Sequence, residues 1–246
     1  TRLNRDWQNG IYHELPISSN FMLFDAVNVT PNFTFRDRMY FSRSKKSWDI
    51  DKQQEVTDTV SGFYNVYDWN FNVNFNTKLY GMFIPNRKLF GDKVQAIRHV
   101  FSPSITFTYA PNFSTSRYGF YDYYQKTDAE GNVTMVEYFP YIGAYSNQPG
   151  KSKTGTVSWD ISNNVEMKLK SDNDSTGFKK VSLIDELGFN MSYNLAATVR
   201  PLSNLSTRLR LKLTKSYTFN LNAVFASYVY EADSVGATPH ESEHTT

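Results

Sequence analysis

The chain has 246 residues, a formal net charge of +2 and no cysteine. That charge gives no bulk attraction to nucleic acid, and without thiols there are neither disulfides nor thiolate metal sites. No apolar run reaches the ~18 residues of a transmembrane helix.

A mean hydropathy of −0.52 is that of a soluble protein, but a membrane barrel turns half of each strand toward water. Alternation of apolar and polar side chains predicts about eight strands. The first spans Ile17 to Phe24. The second runs from Val27 to Phe41, with Val27, Val29, Phe33, Phe35, Met39 and Phe41 on one face, interrupted by Asp37. Asn28, Thr30, Asn32, Thr34, Arg36 and Arg38 take the other face.

The third strand, Phe63 to Phe83, holds the clearest pattern. Trp69, Phe71, Val73 and Phe75 alternate there with Asn70, Asn72, Asn74 and Asn76. A tilted strand of ~9–11 residues crosses a bilayer, and this ribbon has that length and one greasy face.

The fourth strand, His99 to Tyr109, sets Phe101, Ile105, Phe107 and Tyr109 against Ser102, Ser104, Thr106 and Thr108. The fifth, Thr156 to Leu169, opposes Val157, Trp159, Ile161, Val165, Met167 and Leu169 to Ser158, Asp160, Ser162, Asn164, Glu166 and Lys168. Ile184 to Leu195, Leu205 to Leu213 and Tyr217 to Tyr228 complete the set.

The connections at Asp25-Ala26, Val199–Asn204 and Thr214–Ser216 are short, whereas Ser42–Gly62 and Ala110–Gly155 read as long loops. Outer-membrane barrels keep short turns in the periplasm and long loops outside. The chain opens on Thr1 without Met, and Pro239–Thr246 reads as a loop rather than a closing strand with a terminal aromatic. The fold class expected is therefore all-β: an antiparallel transmembrane β-barrel segment of about eight strands, part of a larger barrel. Residues 1–246 form a single partial barrel region in this reading, preceded and followed by more chain.

Three passages carry a family resemblance. They are His13-Glu14-Leu15-Pro16-Ile17-Ser18 with Asn28-Val29-Thr30-Pro31-Asn32-Phe33, Ala96 to Ile105 (whose Arg98–Ser104 portion is the most specific), and Leu183-Ile184-Asp185-Glu186-Leu187 with Ser192-Tyr193-Asn194. Asn163 to Lys168 precedes the third. Together they resemble the barrel region of the LptD family, in a divergent branch. The resemblance implies a large outer-membrane barrel, integral to a Gram-negative envelope and plugged by an LptE-like lipoprotein. Such a barrel receives lipopolysaccharide from periplasmic bridge proteins and releases it sideways into membrane lipid through a seam between its first and last strands. The chain departs from the best-known members in lacking cysteines for maturation disulfides and in showing no periplasmic jellyroll.

The candidate sites are non-catalytic. Arg208, Arg210 and Lys212 form a basic ladder on one polar strand face, and Arg36 and Arg38 a second. Guanidinium forks grip phosphate, so these five residues are candidate contacts for lipopolysaccharide phosphates. The alternative is lumen charge paired with Glu166 or Asp160. Asn70, Asn72, Asn74 and Asn76 form a polar track that either meets sugars or bonds across strands. Trp69, Trp159, Tyr80 and Tyr217 are either ligand platforms or, as the better fit, core and interface girdle.

His240-Glu241-Ser242-Glu243-His244 matches the zinc-protease pattern H-E-x-x-H, whose chemistry needs a helix to put both imidazoles on one face. Pro239 and the lack of apolar periodicity favour a solvated loop, so no metal is expected. Sequons such as Asn112-Phe113-Ser114 and Asn132-Val133-Thr134 match chance in a chain this rich in Asn, Ser and Thr. Asp58-Thr59-Val60 and Asp233-Ser234-Val235 resemble an acceptor pattern for bacterial O-glycosylation. No catalytic triad, carboxylate pair or phosphate-cradling glycine loop stands out, so neither enzyme activity nor a cofactor is expected.

The leading reading is a translocon barrel that assists lipopolysaccharide insertion into the outer leaflet. The alternatives are a porin-like or substrate-specific outer-membrane channel and a soluble β-sandwich. Sandwich strands average ~5–6 residues, about half the runs seen here.

Overall fold

The computed structural model describes residues 9–86, 88, 91–141, 145, 147–172, 177–214, 216–231 and 240–245. Their regular structure is all β. Eight strands form the main path of a sheet: β1 (Gly10–Ser18), β3 (Val27–Asp49), β4 (Gln54–Asn76), β6 (Val94–Ala110), β9 (Thr154–Lys170), β10 (Phe178–Asn194), β11 (Leu205–Lys212) and β12 (Thr218–Phe225). They lie side by side in that order, and the short strands β2 (Phe21–Leu23) and β5 (Leu79–Phe83) pair with β3 and β6, making ten strands in all. Among the described residues the sheet is open, with β1 and β12 at its edges. Two separate hairpins are β7 (Asp122–Thr127) with β8 (Val133–Tyr138), and β13 (Tyr228–Glu231) with β14 (His240–Thr245).

Several expectations are corrected. The strand expected over Ile17–Phe24 is two strands, β1 and β2, broken at Ser19-Asn20, each paired antiparallel with β3. Pro16 lies inside β1, and its missing N–H is tolerated because β1 is an edge. The stretch Ser42–Gly62 is not a loop, because β3 and β4 both continue into it. They meet at a tight turn where Asp49 Oδ1 accepts hydrogen bonds from Asp51 N and Lys52 N, each at 3.1 Å. Ala110–Gly155 contains the β7–β8 hairpin, and His240–Thr245 is a strand rather than a loop. The strand expected over Phe63–Phe83 is divided between β4 and β5.

β3 and β4 are 23 residues each, about twice what a bilayer requires. Their odd-numbered faces show where the surplus begins. Phe33 meets Trp69, Phe35 stacks on Tyr67, and Phe41 meets Phe63. Beyond those rings the same face turns polar, at Arg43, Lys45 and Ser47 on β3 and at Ser61, Thr59 and Thr57 on β4. The register of β1 with β3 puts Ile11, Leu15 and Ile17 on that apolar face, opposite Met39, Phe35 and Phe33. Leu15 and Ile17 are more than half exposed, at 55% and 54%. Large apolar side chains left bare side by side, as on β1, mark a surface made for lipid or a partner.

The tightest turn joins β2 to β3. Phe24 (φ 51°) and Asp25 (φ 54°) are both left-handed, and Ala26 N donates to Leu23 O at 3.1 Å. Two positive φ values at the central positions of a turn match the right-handed twist of the flanking strands.

The chain divides into two compact units. Unit 1 comprises Thr1–Ser18, Asn32–Phe71 and Tyr109–Thr154, and unit 2 comprises Ser19–Pro31, Asn72–Thr108 and Gly155–Thr246. Unit 1 holds the buried core: Tyr40, Val66, Phe113, Phe120, Tyr121 and Tyr141.

Candidate functional site

The polar face of unit 2 carries a charge network built by strand register. Glu186, Gly188 and Asn190 on β10 stand opposite Arg210, Arg208 and Ser206 on β11. Arg208 donates from Nε to Glu186 and from Nη2 and Nη1 to the two oxygens of Asp160, at 2.8 and 3.1 Å. One guanidinium on β11 thus reaches over β10 to a carboxylate on β9. Gly188 makes the crossing possible: a Cβ there would lie 2.5 Å from Arg208 Nε and 2.6 Å from its Cζ. Arg210 sits 3.6 Å from Glu186 and 3.8 Å from Asp185. Glu166 pairs with Arg98 on β6 rather than with the ladder.

The arginines of the ladder are therefore engaged with carboxylates. Two of these, Glu186 and Asp185, are partners that alternation alone does not indicate. Lys212 makes no ion pair among the described residues.

The asparagine track is engaged as well. Asn72 Nδ2 donates to Thr108 Oγ1 at 2.9 Å. Asn74 Nδ2 donates to Ser104 at 2.8 Å and Thr106 at 2.7 Å, and Asn76 donates to Asn74 Oδ1 at 2.7 Å. The polar faces of β4 and β6 are stitched by side chains. Asn70 takes no part in this ladder. Of the four candidate rings, Trp69 packs between Phe33 and Tyr109, Trp159 lines an apolar cleft with Phe189 and Met191, and Tyr80 and Tyr217 are exposed.

In unit 1 the other two arginines meet one carboxylate. Arg38 is 1% exposed and lies 2.5 Å from Asp68 Oδ2, while Arg36 Nη1 is 3.2 Å from Oδ1. Arg36 Nε is also 3.8 Å from Glu14. Arg38, buried in this way, is not presented to a ligand. Asp37, which interrupts the apolar face, stands opposite His13, with His13 Nδ1 3.5 Å from Asp37 Oδ2.

Above this pair lies the segment between β6 and β9. Ser44 donates to the Pro140 carbonyl from both its N and Oγ, at 2.8 and 2.9 Å. Lys46 N donates to Tyr138 Oη at 3.0 Å, and Tyr124 Oη donates to Glu55 at 2.7 Å. Tyr40 stacks on Tyr141 at 5.4 Å and meets Phe139 edge-on at 6.3 Å. The segment is thus a folded cap on β3 and β4.

Its groups titrate accordingly. Burial, reinforced by Glu137, pushes the Tyr121 phenol up to about 12. Glu137 is held below its ordinary value by hydrogen bonds from Lys151 and Tyr123, and Glu55 by those from Lys46 and Tyr124. The hairpin turn is set by Asp128 Oδ1, which accepts from Asn132 N at 2.7 Å, with Gly131 at φ 85°. Asp128-Ala129-Glu130-Gly131-Asn132 is the sequence signal for this hairpin.

The H-E-x-x-H stretch lies on β14. Residues four apart in an extended strand are about 13 Å apart, so this backbone does not bring the two histidine positions to one ion. No cluster of three or more potential metal ligands occurs among the described residues. Thr59 lies within β4, whereas Asp233-Ser234-Val235 falls outside the described residues.

A family model described as LptD protein matches residues 1–228. The chain belongs to the LptD protein family. That match runs through all ten strands of the sheet, both charge networks and the cap. No curated protein and no solved structure gives a significant match. Membership in the LptD family places the chain in the context of lipopolysaccharide transport.

Proposed function

We propose that the chain is a segment of an outer-membrane β-barrel that assists insertion of lipopolysaccharide into the outer leaflet. The observation that carries the reading is a two-faced sheet in a chain of the LptD family. One face is bare and apolar, as lipid contact demands; the other holds charge and hydrogen-bond networks that suit a wet lumen. An open edge in lipid leaves backbone groups unpaired at several kcal/mol each, so β1 and β12 need further strands, from this protein or a partner, to close the ladder.

The barrel acts without catalysis, and the energy for transport comes from periplasmic bridge proteins. An LptE-like lipoprotein occupies the lumen. The test is copurification of the full-length protein from detergent-solubilised outer membranes, with mass spectrometry of proteins and lipids. Recovery of a lipoprotein and lipopolysaccharide supports the reading. Recovery of neither, together with steady open-channel conductance, replaces it with a porin-like channel.

A further inference from the structure

The carboxylates of the unit 2 network are taken by arginines: Glu166 by Arg98, Asp160 by Arg208, Glu186 by Arg208 and Arg210, and Asp185 by Arg210. What remains on the same face is lysine. Lys168 and Lys180 stand directly opposite each other in the β9–β10 register, and both are exposed. Like charges facing across a ladder are destabilising, and among the described residues neither lysine has an ion-pair partner. Lys212 follows Arg210 by two positions on β11, so it shares this face. It lines a cleft of about 410 Å³ together with Lys180 and Ser182. Register shifts at Ser182/Ile184 and Ile184/Leu187 set Lys168 and Lys180, with Glu166 beside them, apart from the Asp160–Arg208 pairing, and bulges of this kind re-aim side chains.

Beside them an adjoining cleft of about 350 Å³ is lined by Met82, Ala96, Met167 and Phe178 together with Lys168, Lys180 and the Arg98–Glu166 pair. Lys168 Nζ sits 3.9 Å from the centre of the Phe178 ring. The carboxylates that line these clefts, Glu166 and Asp185, are held by Arg98 and Arg210, so lysines beside apolar side chains suit an amphiphile with phosphate at one end and hydrocarbon at the other. The site lies where β9 ends and β10 begins, on the side of the short Thr214–Ser216 turn. Short turns are the periplasmic side of an outer-membrane barrel.

We propose that Lys168, Lys180 and Lys212 bind the phosphate groups of a glycolipid at the periplasmic end of the polar face, a site that rests on the lipopolysaccharide reading above. The lysines hold the phosphates as mobile point charges, and the cleft at Met82 and Phe178 takes the adjoining apolar portion. The arginines, committed to carboxylates, hold the strands.

The test uses the full-length protein with its copurifying partners in lipid nanodiscs. Three probes are titrated: purified lipopolysaccharide, the same material after chemical dephosphorylation, and inorganic pyrophosphate. The Lys168→Gln/Lys180→Gln/Lys212→Gln variant is expected to lose at least about tenfold in affinity for the phosphorylated lipid, and the corresponding triple arginine variant to retain it. Dephosphorylated lipid should bind the wild type and the glutamine variant alike. Lys168→Gln alone should unfold at a higher denaturant concentration than the wild type, because the facing charges are relieved.

If the glutamine variant binds phosphorylated lipid as the wild type does, the lysine site is wrong while the transport reading stands. If the wild type binds neither form of the lipid, the transport reading fails and this site fails with it as a lipid site. Pyrophosphate bound as tightly as lipopolysaccharide, and lost in the glutamine variant, overturns the lipid source in favour of free phosphate.

Discussion

Gly188 and Arg208 face each other across β10 and β11, and the guanidinium lies where a Gly188 side chain would be. Gly188→Ala should therefore push Arg208 off Asp160 and Glu186. Arg208 is about one-third exposed, so solvent screening keeps the expected loss to about 1 kcal/mol. The measurement is urea unfolding in lipid vesicles, run as a double-mutant cycle. In an Arg208→Ala background the glycine substitution should cost almost nothing, and full additivity would show that the two residues are not coupled.

Asp68 is the carboxylate that pairs with Arg38, a residue only 1% exposed. Asp68→Ala should be far more costly than Gly188→Ala, because it strands a buried cation; such losses run about 3–5 kcal/mol. Adding Arg38→Met should restore much of the stability. A double variant as unstable as Asp68→Ala would mean that the carboxylate acts through Arg36 instead.

The sheet is legible in the sequence because alternation is a local property: Trp69 to Asn76 shows both faces without reference to any other strand. The same alternation exists in β1, but His13 and Pro16 interrupt it and hide most of that strand. The continuation of β3 and β4 past Phe41 and Phe63 is hidden because the apolar face there turns polar and reads as loop. Pairing is less legible than strand position. Alternation suggests Asp160 as a partner of the basic ladder but not Glu186, since that contact depends on the register that sets Glu186 opposite Arg210 and Gly188 opposite Arg208, which neither strand shows alone. The cap reads as a plain loop because its core is aromatic rings without a period, and only tertiary contact with Tyr40 and Val66 gives them a place.

The cap should loosen in acid. Glu55 and Glu137 have folded-state values below the ordinary 4.5. Their contribution to stability is present above pH 4.5 and is lost as pH falls through the depressed values. Limited proteolysis with an acid-tolerant protease should show cleavage between residues 122 and 138 rising below about pH 4.5. In Glu55→Gln/Glu137→Gln that pH dependence should flatten, with cleavage already raised at neutral pH. Unchanged acid sensitivity in the double variant would assign the loosening to other groups.

Asp128 and Gly131 hold the turn of the cap hairpin, and Gly131 has φ 85°. Gly131→Val puts a β-branched side chain where L residues are strained, at about 1–2 kcal/mol. The strain falls on β7–β8 and not on the sheet, because that hairpin pairs only with itself. The protein should therefore accumulate at normal levels while amide exchange accelerates across Asp122–Tyr138. Since Tyr138 and Tyr124 of this hairpin bond Lys46 and Glu55, a deletion of residues 122–138 bridged by Gly-Ser should, if the proposed barrel function holds, go further and admit bulky hydrophilic antibiotics. Cells carrying that deletion with unchanged antibiotic susceptibility would count against the hairpin as an obstruction in the proposed barrel.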